Sequence, residues 1–405
     1  MDIKLIRLSS RNVLDIKKDD DAFIEEINNI LFDNDLYLTE EAPNGSPTVV
    51  FVESGGVEMK FKKLLPSISS SPIILLSTNK NNSLPACLEI YTYCLNEHNI
   101  PCVIANDGAS LTAELLSIIS EVSYAYNKLQ NNNLGVVIGE SDWLIASHVD
   151  YSIIKKKLHI NIVKIGKCEL YAEINKKKIG KPLHFSTLTK KIKDKVELQK
   201  ALYIYGALKR LAVKYKLSGL TIKCFDLLED YKSTACLALS LLNDEGITSG
   251  CEGDVPSLIT MHFINALTDR PSFMANPSII DRDNNTILLA HCSCPLNMLS
   301  SYEFNTHFES GLGIATEGKF NKGQVSICKI TPDLKHLVAL PGEIKKDSHL
   351  SSYCRTQALV ELAPNDINML LMHPFGNHLI MTYGDIVEKF LALFNLYSLI
   401  NKDFE

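Results

Sequence analysis

The chain has 405 residues, more than one hydrophobic core usually serves, so two or three domains are expected. Apolar residues make up 46% and charged residues 22%, enough for a sizeable core, while a net charge of −6 argues against nucleic acid as the main partner. No apolar run approaches the ~18 residues that a bilayer span needs, so a membrane role has no support.

In chain order, the first forty residues are mixed and acidic, with a weak element at "IKLIRLS" and a possible helix at "DDDAFIEEINNILFD". A regular rhythm follows. "PTVVFVES" and "SPIILLST" read as strands, "LPACLEIYTYCLNEHN" has helical spacing, "IPCVIAN" is a strand and "ASLTAELLSIISEVSYAYNKLQ" a long amphipathic helix. Strand–helix alternation of this kind predicts a parallel sheet with helices on both faces.

After the polar break "QNNN" the rhythm restarts with the strand "LGVVIG". A helix-compatible stretch "DWLIASHVDYSIIKKK", the strand "INIVKIG" and the helix "VELQKALYIYGALKRLAVKYK" follow, then the strand "GLTIKCFDLL". "STACLALSLLNDEG" is a helix, "ITSGCEG" a short strand and "VPSLITMHFINALT" a helix, leading to strands "SFMANPSII" and "NTILLAHCSC". The last third turns Gly-rich with short alternating apolar runs, the pattern of antiparallel β structure, and "GDIVEKFLALFNLYSLIN" closes the chain as a helix. The expected fold is α/β. Two doubly wound parallel-sheet domains, 1–130 and 131–290, precede a β-rich, barrel-like C-terminal domain, 291–405; the first two could equally share one continuous sheet.

The eleven cysteines, mostly within apolar stretches and with no secretory leader ahead of them, are expected to be reduced thiols of a cytoplasmic protein. The Lys-rich stretch 155–195 reads first as a solvated face.

Ligands of an open parallel sheet bind beyond the carboxyl ends of its strands. Asp226, Glu252 with Asp254, Asn276 and His291 each follow an expected strand, and four successive strands would bring them to one rim. Asp254, just before a helix and two residues before Pro256, is placed to cap that helix. Asp226 is divided between a site role and a pairing with Lys. Glu252, between Cys251 and Gly253, has no such structural duty, and a buried carboxylate calls for a cation or a metal. His378 opens a further apolar strand; with Glu252 and His291 it would form a carboxylate–imidazole site suited to Mn²⁺ or a similar divalent ion. "HCSC" lacks the second pair a zinc ribbon needs. "GESDW" lacks the spacings of a nucleotide loop, and no G-x-S-x-G elbow occurs. Trp143, the only Trp, lies at a strand-to-helix junction, where its ring could face a ligand or pack in a core.

The ordered series "TACLALSLLNDEGITSGCEGDVPSLITMHFINALTDRPSFMANP", "ILLAHCSCP", "HFESGLGIATEGKF" and "GNHLIMTYGD" resembles the L-fucose isomerase and L-arabinose isomerase superfamily, most of all its shorter L-fucose isomerase-related branch. "NSLPACLEI" and "LGVVIGESDWLIAS" fit the same branch, and the resemblance covers most of residues 45–390. It implies two α/β domains before a β-rich one, a divalent metal, usually Mn²⁺, and aldose–ketose interconversion through an enediol. Carried over, Glu252 matches a metal ligand or base, and His378 a metal ligand in the "NH" pair. His291 resembles an imidazole that the arabinose enzymes use. Where the fucose enzymes place an acid/base Asp, twenty-four residues after their Glu, this chain has Asn276, whose neutral amide cannot act as a base. Asp226 or Asp254 would then supply the missing acid. The expected substrate-binding set is Trp143, Asp226 and Asn276. The resemblance also implies a homo-oligomer, a trimer or hexamer. Two other readings stand beside isomerisation: a sugar-binding or regulatory protein that has lost turnover, and an isomerase or lyase for an anionic sugar, with the Lys-rich stretch and Arg355 near the anionic group.

Overall fold

Apolar runs without alternation, "TVVFV" and "IILLS", are buried at every position, as central strands of a doubly covered parallel sheet must be. The computed structural model, which describes residues 1–10, 14–43, 45–68, 72–98 and 100–400, divides into two compact units. The first comprises Met1–Lys128 and the segment from Lys389 onward. Its strands are β1 (Asp2–Leu8), β2 (Tyr37–Thr39), β3 (Thr48–Val52), β4 (Ile73–Ser77) and β5 (Cys102–Ala105), all parallel in the order β2-β1-β3-β4-β5. Helices α1 (Leu14–Phe32), α2 (Glu58–Leu64) and α3 (Ser83–His98) lie between these strands in the chain, and α4 (Ala109–Leu129) follows β5. Two separate apolar clusters, one around Ile27, Phe51 and Leu116 and one around Phe61, Leu75 and Ile90, show that both faces of the sheet are covered.

The second unit, Leu129–Glu388, holds a four-stranded parallel sheet in the order β7-β6-β8-β9, from β6 (Asn133–Val137), β7 (Asn161–Ile165), β8 (Leu217–Ile222) and β9 (Thr248–Gly250). Its helices are α5 (Tyr151–Leu158), α6 (Lys167–Asn175), α7 (Phe185–Lys191), α8 (Lys195–Tyr215), α9 (Asp226–Tyr231), α10 (Cys236–Asp244) and α11 (Val255–Thr268). A closed antiparallel barrel follows. Its strands are β10 (Phe273–Asp281), β11 (Thr286–His291), β14 (Gly323–Ile330), β15 (Leu337–Asp347), β16 (Thr356–Leu362) and β17 (Leu379–Tyr383), ordered β10-β11-β16-β15-β14-β17. Strands β12 (Leu299–Asn305) and β13 (Ala315–Phe320) form a separate ribbon. Helix α12 (Pro364–Met372) precedes β17, and α13 (Val387–Ile400) closes the described chain; Asn401, at the end of the expected closing helix, lies outside the described residues. The α/β and barrel architecture is the expected one.

Period-2 alternation fills the barrel: Phe273 and Ala275, Ile287 and Leu289, Val325 and Ile327, Val360 and Ala358, Leu379 and Met381 share one core. Two expectations change. "SFMANPSII" and "NTILLAH" belong to this barrel rather than to the parallel sheet, because short apolar strands look alike in the two settings. Of "DWLIASHVDYSIIKKK", only Tyr151–Leu158 is helical, starting where Asp150 accepts a hydrogen bond from the Ser152 N–H. Among the described residues, no helix is long and apolar enough to cross a membrane.

Candidate metal centre

The ends of β6, β8 and β9 meet in a tight backbone junction. The Gly253 N–H donates to the Ile222 carbonyl at 3.0 Å, and a Cβ on Gly253 would lie 2.4 Å from the Gly139 oxygen. Only glycine fits there, at φ +66. Glu252 beside it and Ile138 across from it also hold positive φ, 58 and 69. For a β-branched residue that is a genuine outlier, and clustered strain of this kind persists where surrounding contacts enforce it.

Glu252 faces two imidazoles. Its Oε1 is 3.7 Å from His378 Nε2 and 3.9 Å from His291 Nε2, and the donor atoms of the three residues all lie within 4.8 Å of one another. His291 ends β11 and His378 immediately precedes β17, so two barrel strands bring their imidazoles to the end of a strand in the parallel sheet. The expected single rim of four parallel strands is therefore a junction of sheet and barrel.

Each imidazole is anchored at its other nitrogen. His378 Nδ1 is 2.8 Å from Asp254 Oδ2, and His291 Nδ1 is 2.9 Å from Ser293 Oγ. Both Nε2 atoms therefore point at the same carboxylate oxygen, too far for a hydrogen bond. That spacing matches ligands each about 2.0–2.2 Å from one shared ion. Outer anchors on ligating imidazoles are how proteins fix their tautomer and orientation. Asn276 adds a buried side-chain oxygen with no hydrogen-bond partner. It shares a face of β10 with Met274, whose sulfur accepts the Cys251 N–H at 3.3 Å, so that face looks toward the end of β9. Donor chemistry, separation and anchoring all fit a divalent cation, and this His/Glu cluster could hold one.

The electrostatics agree. Burial disfavours the charged form of Glu252, but the two facing imidazoles outweigh it and hold the carboxyl well below its ordinary range. Asp254 is likewise pulled down, against full burial, by Lys329 and His378. Lys329, 1% exposed on β14, donates to Ser257 Oγ at 2.6 Å and lies 3.4 Å from Asp254 Oδ2. Burial lowers its own pKa.

The remaining expected residues are placed as follows. Asp254 is fully buried and caps α11, accepting the Ser257 N–H at 2.8 Å. Asp226 begins α9 and lies 3.4 Å from Lys167 Nζ. Trp143 is 47% exposed, and its Nε1 donates to Glu252 Oε2 at 3.0 Å. Its ring meets Phe225 edge-on at 5.0 Å, and Phe225 in turn meets His307 at 5.7 Å. Sequence reasoning missed Lys329, which reads as one more polar residue in an alternating strand. It also passed over Glu140, within "GESDW", and His148, five residues beyond Trp143, whose Nδ1 donates to Glu140 Oε2 at 2.8 Å.

No family model matches the chain. Curated proteins to which it is similar include several named sulfoquinovose isomerase. The one from Priestia megaterium (strain ATCC 12872 / QMB1551) is 25% identical over 198 residues, 46% of this chain and 44% of that protein. The one from Clostridium sp. (strain MSTE9) is 26% identical over 195 residues, 45% and 43%. The one from Alkalicoccus urumqiensis is 21% identical over 216 residues, 51% and 49%. The chain thus spans about half the length, or less, of the curated relatives it matches.

Proposed function

We propose that this chain interconverts the aldose and ketose forms of a sugar at a divalent cation, Mn²⁺ or a close substitute, held by Glu252, His291 and His378. The observation that carries this reading is the convergence of both anchored Nε2 atoms on Glu252 Oε1. The likeness to proteins named for a sugar isomerisation supports it. On this reading the chain is a divergent relative of the L-fucose and L-arabinose isomerases and works as a homo-oligomer. A bound divalent cation would supply Lewis acidity at the sugar's carbonyl and neighbouring hydroxyl oxygens.

The chain's own groups do the rest. Trp143 steadies Glu252 through Oε2 and offers its exposed ring to a sugar face. Asn276, with its unsatisfied carbonyl oxygen, accepts a sugar hydroxyl. Asp254 and Ser293 keep the imidazoles in one tautomer.

An anionic sugar is the favoured substrate class, as the relatives' name suggests. Arg355 immediately precedes Thr356, the register partner of His291. Among the described residues its guanidinium bonds to Thr306 O and Thr306 Oγ1 and to no carboxylate.

The test is to strip metal with a chelator, restore single divalent ions, and incubate the protein in D₂O with a panel of 6-sulfonated, 6-phosphorylated and neutral hexoses. Metal-dependent aldose–ketose exchange with deuterium entering the sugar, abolished by Glu252→Gln, is the expected result. Tight sugar binding without exchange at any metal would favour a binding protein and overturn the isomerase reading.

A further inference from the structure

An isomerase of this kind must move a proton between two adjacent carbons, and the residues around the cluster leave few groups free to do so. Both Glu252 oxygens are engaged, one by Trp143 and one in the imidazole-facing position. Asp254 is fully buried, with its oxygens committed to Ser257, His378 and Lys329. Asn276 is an amide and has no proton to exchange at a useful pKa.

The irregular segment between β6 and α5 touches the cluster through Trp143 and packs beside chain neighbours of Glu252 and His378 at two more points. Gly253 would place a Cβ 2.8 Å from the Glu140 Cα. Trp143 donates to Glu252. Ser147 Oγ lies 3.9 Å from the Cβ position of Gly376, two residues before His378. His148 sits at the end of this segment with its side chain 57% exposed. Its Nδ1 is 2.8 Å from Oε2 of Glu140, whose side chain is only 18% exposed. Glu140 Oε1 in turn accepts the Tyr151 hydroxyl. Burial and that contact with Glu140 push the Tyr151 phenol's pKa up, so it remains a donor. The result is an accessible imidazole oriented at one nitrogen by a carboxylate that is itself fixed, the arrangement that makes an imidazole an effective acid–base group.

We propose that His148 is the proton carrier of the isomerisation and Glu140 its positioning residue; this rests on the aldose–ketose reading above. The His148 Nε2 lone pair takes the proton from C2 of the open-chain aldose. The C2–H electron pair becomes the C1=C2 bond while the carbonyl π pair moves onto O1. Return of that proton to C1, with the hydroxyl proton of O2 passing to O1, leaves a carbonyl at C2. The sum is an isomerisation, with no other reactant consumed or formed. An exposed imidazole thereby fills the role left open where Asn276 replaces an acid.

The test uses the full chain loaded with the restored metal. His148→Gln is expected to lower kcat by about 10²-fold or more, with metal content and KM unchanged. Deuterium incorporation from D₂O at the sugar carbon should fall in step with turnover. His148→Ala should regain part of its rate with added imidazole, which a purely structural residue would not show. Glu140→Gln should shift the pH profile of kcat while metal stays bound. His148→Gln turning over at the parent rate, or losing turnover while carbon exchange persists, would overturn the proposal. An unmodified chain that exchanges no sugar under any restored metal fails at the earlier step and removes the functional reading itself.

Discussion

Asp254 and His378, 124 residues apart in the chain, meet at 2.8 Å with both side chains completely buried. One oxygen of that carboxylate caps a helix and the other orients an imidazole, so a single residue ties α11 to the barrel strand that follows His378. Asn is also a good helix cap. Asp254→Asn therefore spares the helix while changing the partner of Nδ1. Affinity for the divalent ion is expected to fall about 10- to 100-fold, measured by competition with a coloured chelator, with the circular dichroism spectrum unchanged.

Lys329 is the only cation within reach of Asp254 apart from the imidazole among the described residues. Removing one member of a buried pair leaves the other charge uncompensated. Lys329→Met should cost about 3–5 kcal/mol of unfolding free energy in a urea titration, and Lys329→Met with Asp254→Asn should recover part of that loss.

Occupancy of the cluster should raise stability by mass action, by about 2.7 kcal/mol at a metal concentration 100 times Kd. Differential scanning fluorimetry with added Mn²⁺ should show a higher Tm for the unaltered chain and none of that gain for Glu252→Gln or His291→Ala.

Asp244 gives a pH dependence away from the cluster. Burial pushes its carboxyl up to about 6, against hydrogen bonds from the N–H groups of Asn297 and Leu296 and the nearby His184 ring, 3.2 Å away. Cys294 and Tyr302 are further titratable groups near enough to feel its charge. The folded carboxyl binds a proton more tightly than the unfolded one, so the folded state holds more protons between about pH 4 and 6. Stability is thus greatest below the unfolded pKa and declines as pH rises through the folded one. The contribution is on the order of 2–3 kcal/mol. Asp244→Asn should remove this slope, so its stability relative to the parent should increase from pH 4 to pH 7.

Gly253→Ala tests the backbone junction. The added methyl would meet the Gly139 oxygen at 2.4 Å at a φ that L residues avoid. A loss exceeding about 1 kcal/mol, together with weaker metal binding, is expected, because any relief must displace either the β6 turn or Glu252.

Much of this arrangement is visible in the letters alone. Unbroken apolar runs announce the parallel strands, and Gly and Pro punctuation marks where they stop. Glu252 draws attention because it follows a strand with no capping duty, whereas Asp254 beside it has one. The letters do not separate "SFMANPSII" in a barrel from the same stretch in a parallel sheet, since burial pattern rather than composition distinguishes them. Lys329 escapes because a buried cation has no local signature; only its distant partners explain it. Glu140 and His148 escape for a similar reason, as their pairing depends on how an irregular loop folds back.

The single indole of the chain donates its hydrogen bond to the carboxylate at the centre of the cluster. Light absorbed at 295 nm is therefore taken up at one place only, next to the atoms a cation or sugar would engage. Emission from Trp143 is a built-in optical gauge of what occupies that position, readable in solution without any label.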